Sequence, residues 1–143
     1  MLRKMILSDA AAIQRLNAND LGYDYPLAAV EEKAASILSD TKHHLVFVYQ
    51  DPTAGVVGYV HGERYETFYA PTMINVLALV VSKEYEKRGI GRKLLTKLES
   101  EAVKQGYQGI RLNSGANRTA AHQFYQHIGY QMDKEQKRFI KYL

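Results

Sequence analysis

The stretch "VVSKEYEKRGIGRKLL", Val80 to Leu95, decides how this chain reads. A nearly unbroken apolar run, Met73 to Val81, ends inside it, as expected of a central strand covered on both faces. Ile90, Leu94, Leu95, Leu98 and Ala102 then recur on one helical stripe, so an amphipathic helix begins near Ile90. Between the two lie Gly89 and Gly91, with Lys87, Arg88, Arg92 and Lys93 around them. A helix N-terminus already exposes unpaired N–H groups and the positive end of the peptide dipole. Adding cations there is unfavourable unless an anion joins them, and glycine lets the backbone meet that anion with no Cβ in the way. The combination describes a phosphate or pyrophosphate cradle. It is not a P-loop, because no Gly-Lys-Ser or Gly-Lys-Thr is present. It is not a dinucleotide fingerprint either: Leu94 stands where the third glycine belongs, and Ile110 to Leu112 where the acidic residue belongs.

Working outward, Met1 to Leu7 reads as a first strand, and Ser8 as the cap of a helix carrying Ile13 and Leu16. "LGYDYP" interrupts that helix, and a second follows with Leu27, Val30, Ala34, Ile37 and Leu38. "DPTAG" is turn chemistry, which makes residues 45–65 an antiparallel hairpin. Past the glycine helix, which closes with Lys104 and Gly106, "YQGIRLNSG" gives a strand. A short helix from about Thr119 to Ile128 ends at Gly129, and "RFIKYL" reads as a last strand, with a further break at Lys134 to Lys137. The order β-α-α-β-β-β-α-β-α-β predicts an α/β (α+β) sandwich, with helices over a mixed sheet. At 143 residues, 1–143 is expected to be a single domain.

Composition narrows the function classes. A net charge of +4 is too small to argue for nucleic acid. No cysteine is present, which excludes disulfides, thiolate metal sites and a cysteine nucleophile. No run of ~18 apolar residues would span a bilayer, and the apolar run before Ser8 is too short for a signal peptide. The chain is therefore expected to be cytoplasmic, with no membrane and no nucleic-acid partner. The five histidines, His43, His44, His61, His122 and His127, lack zinc-site spacing and read as surface or capping residues, so no metal is assigned. Ser114, His61 and Asp24 form no hydrolase triad, since a G-x-S-x-G turn is missing.

The Val80–Leu95 stretch resembles the acyl-CoA pyrophosphate loop of the GNAT superfamily of N-acetyltransferases, with its Gln/Arg-x-x-Gly-x-Gly/Ala pattern. "NRTAAHQFYQHIGY" is similar to that superfamily's second signature, Asn-x-x-Ala-x-x-Phe-Tyr-x-x-x-Gly-Phe/Tyr. The element order agrees over essentially the whole chain. The resemblance implies a mostly antiparallel sheet with a splayed central strand pair and about four helices. It also implies acetyl-CoA as co-substrate and a primary amine as acceptor. Glu86 departs from the pattern, and an acidic side chain facing a pyrophosphate is repulsive. Glu86 is therefore expected to turn outward, leaving the anion to the backbone of Arg88, Gly89, Ile90, Gly91 and Arg92 and to the side chains of Lys87, Arg88 and Arg92, with Lys93 beside them.

Carried over position by position, the resemblance implies that Leu79 and Val81, with Val80 between them, run beside the pantetheine arm. Asn117 would contact the cofactor, and Tyr125 would sit beside the acetyl sulfur as general acid. Phe124, about 100° away around the helix, is expected in the core. Where the superfamily often carries a carboxylate base, this chain has Asn75 and Leu77, so Glu63, Glu66 or His61 are the base candidates. The aromatic clusters "GYDYP" and "RYETFY", with Asp24, Glu63 and Glu66 nearby, read equally as acceptor-pocket walls or as ordinary loop residues. The acceptor is a small amine or a protein amine, and the protein a monomer or homodimer. The alternative of a different class is an acyl-CoA-binding sensor without turnover.

Overall fold

In the computed structural model, which describes residues 1–143, the apolar run is strand β4 (Met73–Val81). It is fourth in a five-stranded sheet of order β1-β2-β3-β4-β5. The others are β1 (Leu2–Lys4), β2 (His44–Asp51), β3 (Gly55–Tyr65) and β5 (Ile110–Leu112). Strands β1 to β4 are antiparallel neighbours, and β5 lies parallel to β4. Four α-helices complete the chain: α1 (Ala10–Leu16), α2 (Leu27–Ser39), α3 (Ile90–Lys104) and α4 (Thr119–His127). The mixed, mostly antiparallel α/β class expected from the sequence is the one observed. Residues 1–112 and 113–143 form two separate units.

Within residues 1–112, α1 and α2 bury Ala10, Ile13, Leu16, Val30 and Ala34 against Val48, Tyr59 and Val80 of the sheet. The α3 stripe, Ile90, Leu94, Leu95, Leu98 and Ala102, is buried as its spacing predicts. This helix presses closely on β3. A Cβ added at Gly62 would stand 2.7 Å from Ile74 Cγ2 and 3.1 Å from Leu98 Cδ1. Gly62→Ala is therefore expected to destabilise the protein by about 1–3 kcal/mol through overpacking, read as a lower urea midpoint with an unchanged slope.

The first helix starts differently from the sequence reading. Ser8 is exposed and belongs to a short 3-10 turn, Leu7–Asp9. Asp9, only 6% exposed, does the work instead. Its carboxylate accepts the Ile6 N–H at 2.9 Å and the Arg3 guanidinium at 2.8 and 2.9 Å. Burial alone would raise this carboxyl, but Arg3 and the Ile6 N–H more than offset it and hold Asp9 below the usual range. An ionised carboxylate accepts all three N–H groups and pairs with the guanidinium charge, which a neutral hydroxyl with two lone pairs does not match. At its other end α1 loosens into a π-turn, Asn17–Leu21, closed by Gly22 in the left-handed region.

Residues 113–143 contain α4, closed by Gly129 at φ 100°. The expected last strand at "RFIKYL" is not formed: nothing beyond Gly129 has regular secondary structure. A strand is stable only with a ladder partner for its N–H and C=O groups, and this segment belongs to no sheet. Phe139 and Tyr142 stay 90% and 88% exposed. Phe124 is half-buried rather than a core residue, since α4 buries none of its side chains completely. Its ring meets Tyr125 edge-on at 5.3 Å.

Candidate active site

Two breaks in regularity shape β4. Its pairing with β5 covers only Ile74, Asn75 and Val76, so Leu77 to Val81 have no strand partner on the side away from β3. Opposite β3 the register slips: Gly62 pairs with Val76 but His61 with Ala78, which leaves Leu77 as an extra, bulged residue, 49% exposed. A bulge exchanges the faces of a strand. Accordingly Val80 packs with α1 and α2, while Ile74 meets Leu98 around Gly62. The apolar run predicted the strand but carried no signal for the bulge.

The open edge leads through a 3-10 turn, Lys83–Tyr85, into the glycine segment. Gly89 is the N-cap of α3, left-handed at φ 78°, and Lys87 is left-handed as well at φ 62°. No side chain caps α3, and beyond the adjacent residues no atom lies within 4 Å of where a Gly89 Cβ would stand. The N–H groups of the first turn, Ile90, Gly91 and Arg92, have no intrahelical acceptor. A pyrophosphate fits such an end: uncapped donors, a positive dipole and free space above the backbone.

The cations divide. Arg88 stacks on the Tyr85 ring at 4.6 Å. Lys93 and Lys97 instead lie over Tyr49 and Phe47 of β2, at 5.7 and 5.5 Å, so their charge is directed along the sheet. Glu86 is exposed. Leu79 and Val81 are half-buried, while Val80 and Ile90 bury their side chains and have only backbone to offer a ligand.

On the α1/α2 face of the sheet, past the apolar cluster, lies a connected polar group. Glu63 accepts from Asn75 Nδ2 at 2.9 Å, and Asn75 in turn accepts from Arg111 at 2.7 Å. His43 Nε2 is 3.4 Å from the other Glu63 oxygen. His44 Nδ1 and His61 Nε2 are 2.9 Å apart. Arg111 also covers the Tyr65 ring at 4.6 Å. Of the base candidates, Glu63 and His61 are therefore together. Glu66 is apart from them, exposed and paired with Arg64 at 3.0 Å. The aromatic loops are open: Tyr23, Tyr25, Phe68 and Tyr69 are all exposed.

His43, His44 and His61 were expected at the surface, and the structure corrects this for the pair. Burial, then His44, pushes His61 down to about 4, and burial also lowers His44. The "DPTAG" turn alone would set His44 opposite Gly62; a slip at Tyr49/Gln50 moves it opposite Glu63, with His61 two residues along β3 on the same face, so the contact had no signal in the sequence. Because the folded His61 resists a proton that the unfolded chain accepts below ~6.5, stability is expected to fall as pH drops from about 6.5 to about 4. Calorimetric Tm across that range checks this, with His61→Gln flattening the slope.

In residues 113–143, Asn117 is exposed in the turn before α4 and Tyr125 is half-buried. Tyr125 packs near Tyr130 at 5.9 Å, and its carbonyl accepts the Tyr130 N–H. Burial raises its hydroxyl, with Arg118 pulling the other way, so it stays protonated at neutral pH. The Ser114 hydroxyl is buried without a hydrogen-bond partner.

The sequence profile described as "Acetyltransferase (GNAT) family" matches residues 10–130. The chain belongs to the GNAT acetyltransferase family. No curated protein sequence matches the chain. Among solved structures it is similar to the aminoglycoside acetyltransferase AAC(6')-Iy bound to a CoA bisubstrate analogue, at TM-score 0.86 and 14% identity, covering 100% of this chain and 98% of that one. It is also similar to glucosamine-6-phosphate N-acetyltransferase from Arabidopsis thaliana, at TM-score 0.78 and 17% identity over 99% and 97%. A third is aminoglycoside 6'-N-acetyltransferase AAC(6')-IG from Acinetobacter haemolyticus, at TM-score 0.83 and 12% identity over 100% and 99%. At these identities the likeness is one of fold. No three His, Asp or Glu side chains converge to hold a metal ion, and no helix is long and apolar enough to cross a membrane.

Proposed function

We propose that residues 1–143 act as one N-acetyltransferase domain that moves acetyl from acetyl-CoA to a primary amine by direct attack. The observation that carries this reading is the continuous track formed by the unpartnered edge of β4 and the uncapped, left-handed Gly89 turn at the start of α3, in a chain of the GNAT family. The edge from Leu77 to Val81 offers backbone groups to an extended amide-bearing arm. The amides of Ile90, Gly91 and Arg92, with Arg88 held on Tyr85, receive the pyrophosphate. Lys87 and Arg92 add charge, and Asn117 contacts the coenzyme.

The acceptor amine is positioned over the Glu63–His61 group. An ammonium of pKa ~10 must lose a proton before attacking, and this group takes it. Glu66, tied to Arg64 in solvent, does not take part. Tyr125 gives its proton to the departing thiolate. With no cysteine in the chain, no covalent acetyl-enzyme precedes the product.

A panel of small amines, aminoglycosides and peptide amines, assayed for thiol release from acetyl-CoA, tests the proposal. Release that depends on an amine and matches acetylated product is expected. Tight acetyl-CoA binding with no turnover of any amine would replace the enzyme with an acyl-CoA sensor.

A further inference from the structure

His44 and His61 meet across neighbouring strands with Nδ1 and Nε2 2.9 Å apart and ring centroids 5.0 Å apart. Two imidazole nitrogens at that distance share one proton: two protons would collide, and none would leave two lone pairs opposed. The contact therefore couples the tautomers of the two rings. When His61 donates Nε2–H to His44 Nδ1, the outer nitrogen of His61 is a lone-pair acceptor and the outer nitrogen of His44 bears N–H.

The surroundings decide which group moves protons. Glu63 is held at one oxygen by Asn75 at 2.9 Å, which is itself held by Arg111, while His43 Nε2 lies 3.4 Å from the other oxygen and pairs with it when protonated. A carboxylate fixed between these donors is a field and an anchor. His61 pairs in register with Ala78, next to the bulged Leu77 where β4 loses its β5 partner. The charged and titratable groups facing the pair are His43 and Asp40 before β2 and Glu63 on β3, with Arg111 of β5 reaching Glu63 through Asn75. Burial lowers both rings, with His44 further disfavouring a charge on His61 and His43 one on His44, so both are neutral near pH 7, the state in which the pair can take a proton at one end and release one at the other.

Resting on the acetyl-transfer reading, we propose that His61 takes the proton of the acceptor amine and that His44 relays it to solvent. In the step, the amine N–H breaks as N–H forms on His61 Nδ1, and the His61 Nε2–H passes to His44 Nδ1. His44 Nε2–H then leaves to water. No oxidant or second reactant is needed, and the tautomers return through exchange with solvent. His44 acts through His61 and is a positioning residue.

The test combines kinetics with spectroscopy on the full chain. His61→Gln is expected to lower kcat ~10²-fold, as for loss of a general base. His44→Gln is expected to lower it ~10-fold, to be partly rescued by added imidazole, and to move the acid limb of the pH–rate profile. Both should leave coenzyme A affinity unchanged. Glu63→Gln should raise KM more than it lowers kcat. In the unmutated protein, nitrogen-15 NMR is expected to show His61 as the Nε2–H tautomer and the pair binding a single proton below pH 6.5. A His44→Gln enzyme with an unaltered profile, or two independent ordinary imidazole titrations, overturns the relay. If no amine turns over while the coupled NMR titration is seen, it is the acetyl-transfer reading that has failed.

Discussion

Gly89→Val is expected to raise the dissociation constant of coenzyme A by ~10- to 100-fold, beyond the loss of Tm that its backbone strain brings. Gly89 sits at φ 78°, where a β-branched residue is strained. Beyond the adjacent residues, no protein atom lies within 4 Å of its missing Cβ, so a Cβ there meets no other part of the fold. The branched side chain instead enters open space at the uncapped start of α3, where the pyrophosphate is proposed to bind. Gly106→Val provides the control. It carries the same strain, at φ 83°, but at the opposite end of the same helix. It should lower Tm without changing affinity. Changing Arg88 and Arg92 together to Ala should weaken binding less and flatten its salt dependence, because side-chain charge is screened more readily than a fixed backbone contact. Unchanged calorimetric affinity in Gly89→Val would remove the pyrophosphate from this turn.

Tyr125→Phe is expected to lower kcat by ~10²-fold while leaving coenzyme affinity nearly unchanged, the pattern of a lost general acid. The substitution keeps the ring contacts with Phe124 and Tyr130, so packing within residues 113–143 is preserved. Only the hydroxyl goes. Burial holds that hydroxyl in its protonated form, which is the form able to donate to a thiolate. Full kcat in the variant, under conditions where chemistry limits turnover, would assign Tyr125 to packing alone.

How much of this was legible depends on whether a residue's role is set locally. β4 and the α3 stripe were readable because burial on both faces and a 3.6-residue period leave direct marks in the sequence. The Gly89 turn was readable because a left-handed position favours glycine. Asp9 was missed in favour of Ser8, since the choice rests on Arg3, a partner six positions away that no capping rule sees. The Leu77 bulge was invisible because an apolar run looks the same with or without one extra residue. Glu63 and Glu66 looked equivalent as sequence. Strand parity separates them: Glu63 shares a face with Asn75, and Glu66 follows the strand and turns to Arg64. "RFIKYL" failed as a strand for a different reason. Composition can favour an extended segment but cannot supply the neighbour that stabilises it.

Direct transfer is the central claim, and single-turnover rapid quench with radiolabelled acetyl-CoA tests it most directly. Incubated with acetyl-CoA alone, the protein should release no thiol and carry no label after denaturation. Once an accepted amine is added, label should pass to the amine in step with thiol release. Label that appears on the denatured protein before it reaches the amine would contradict the account.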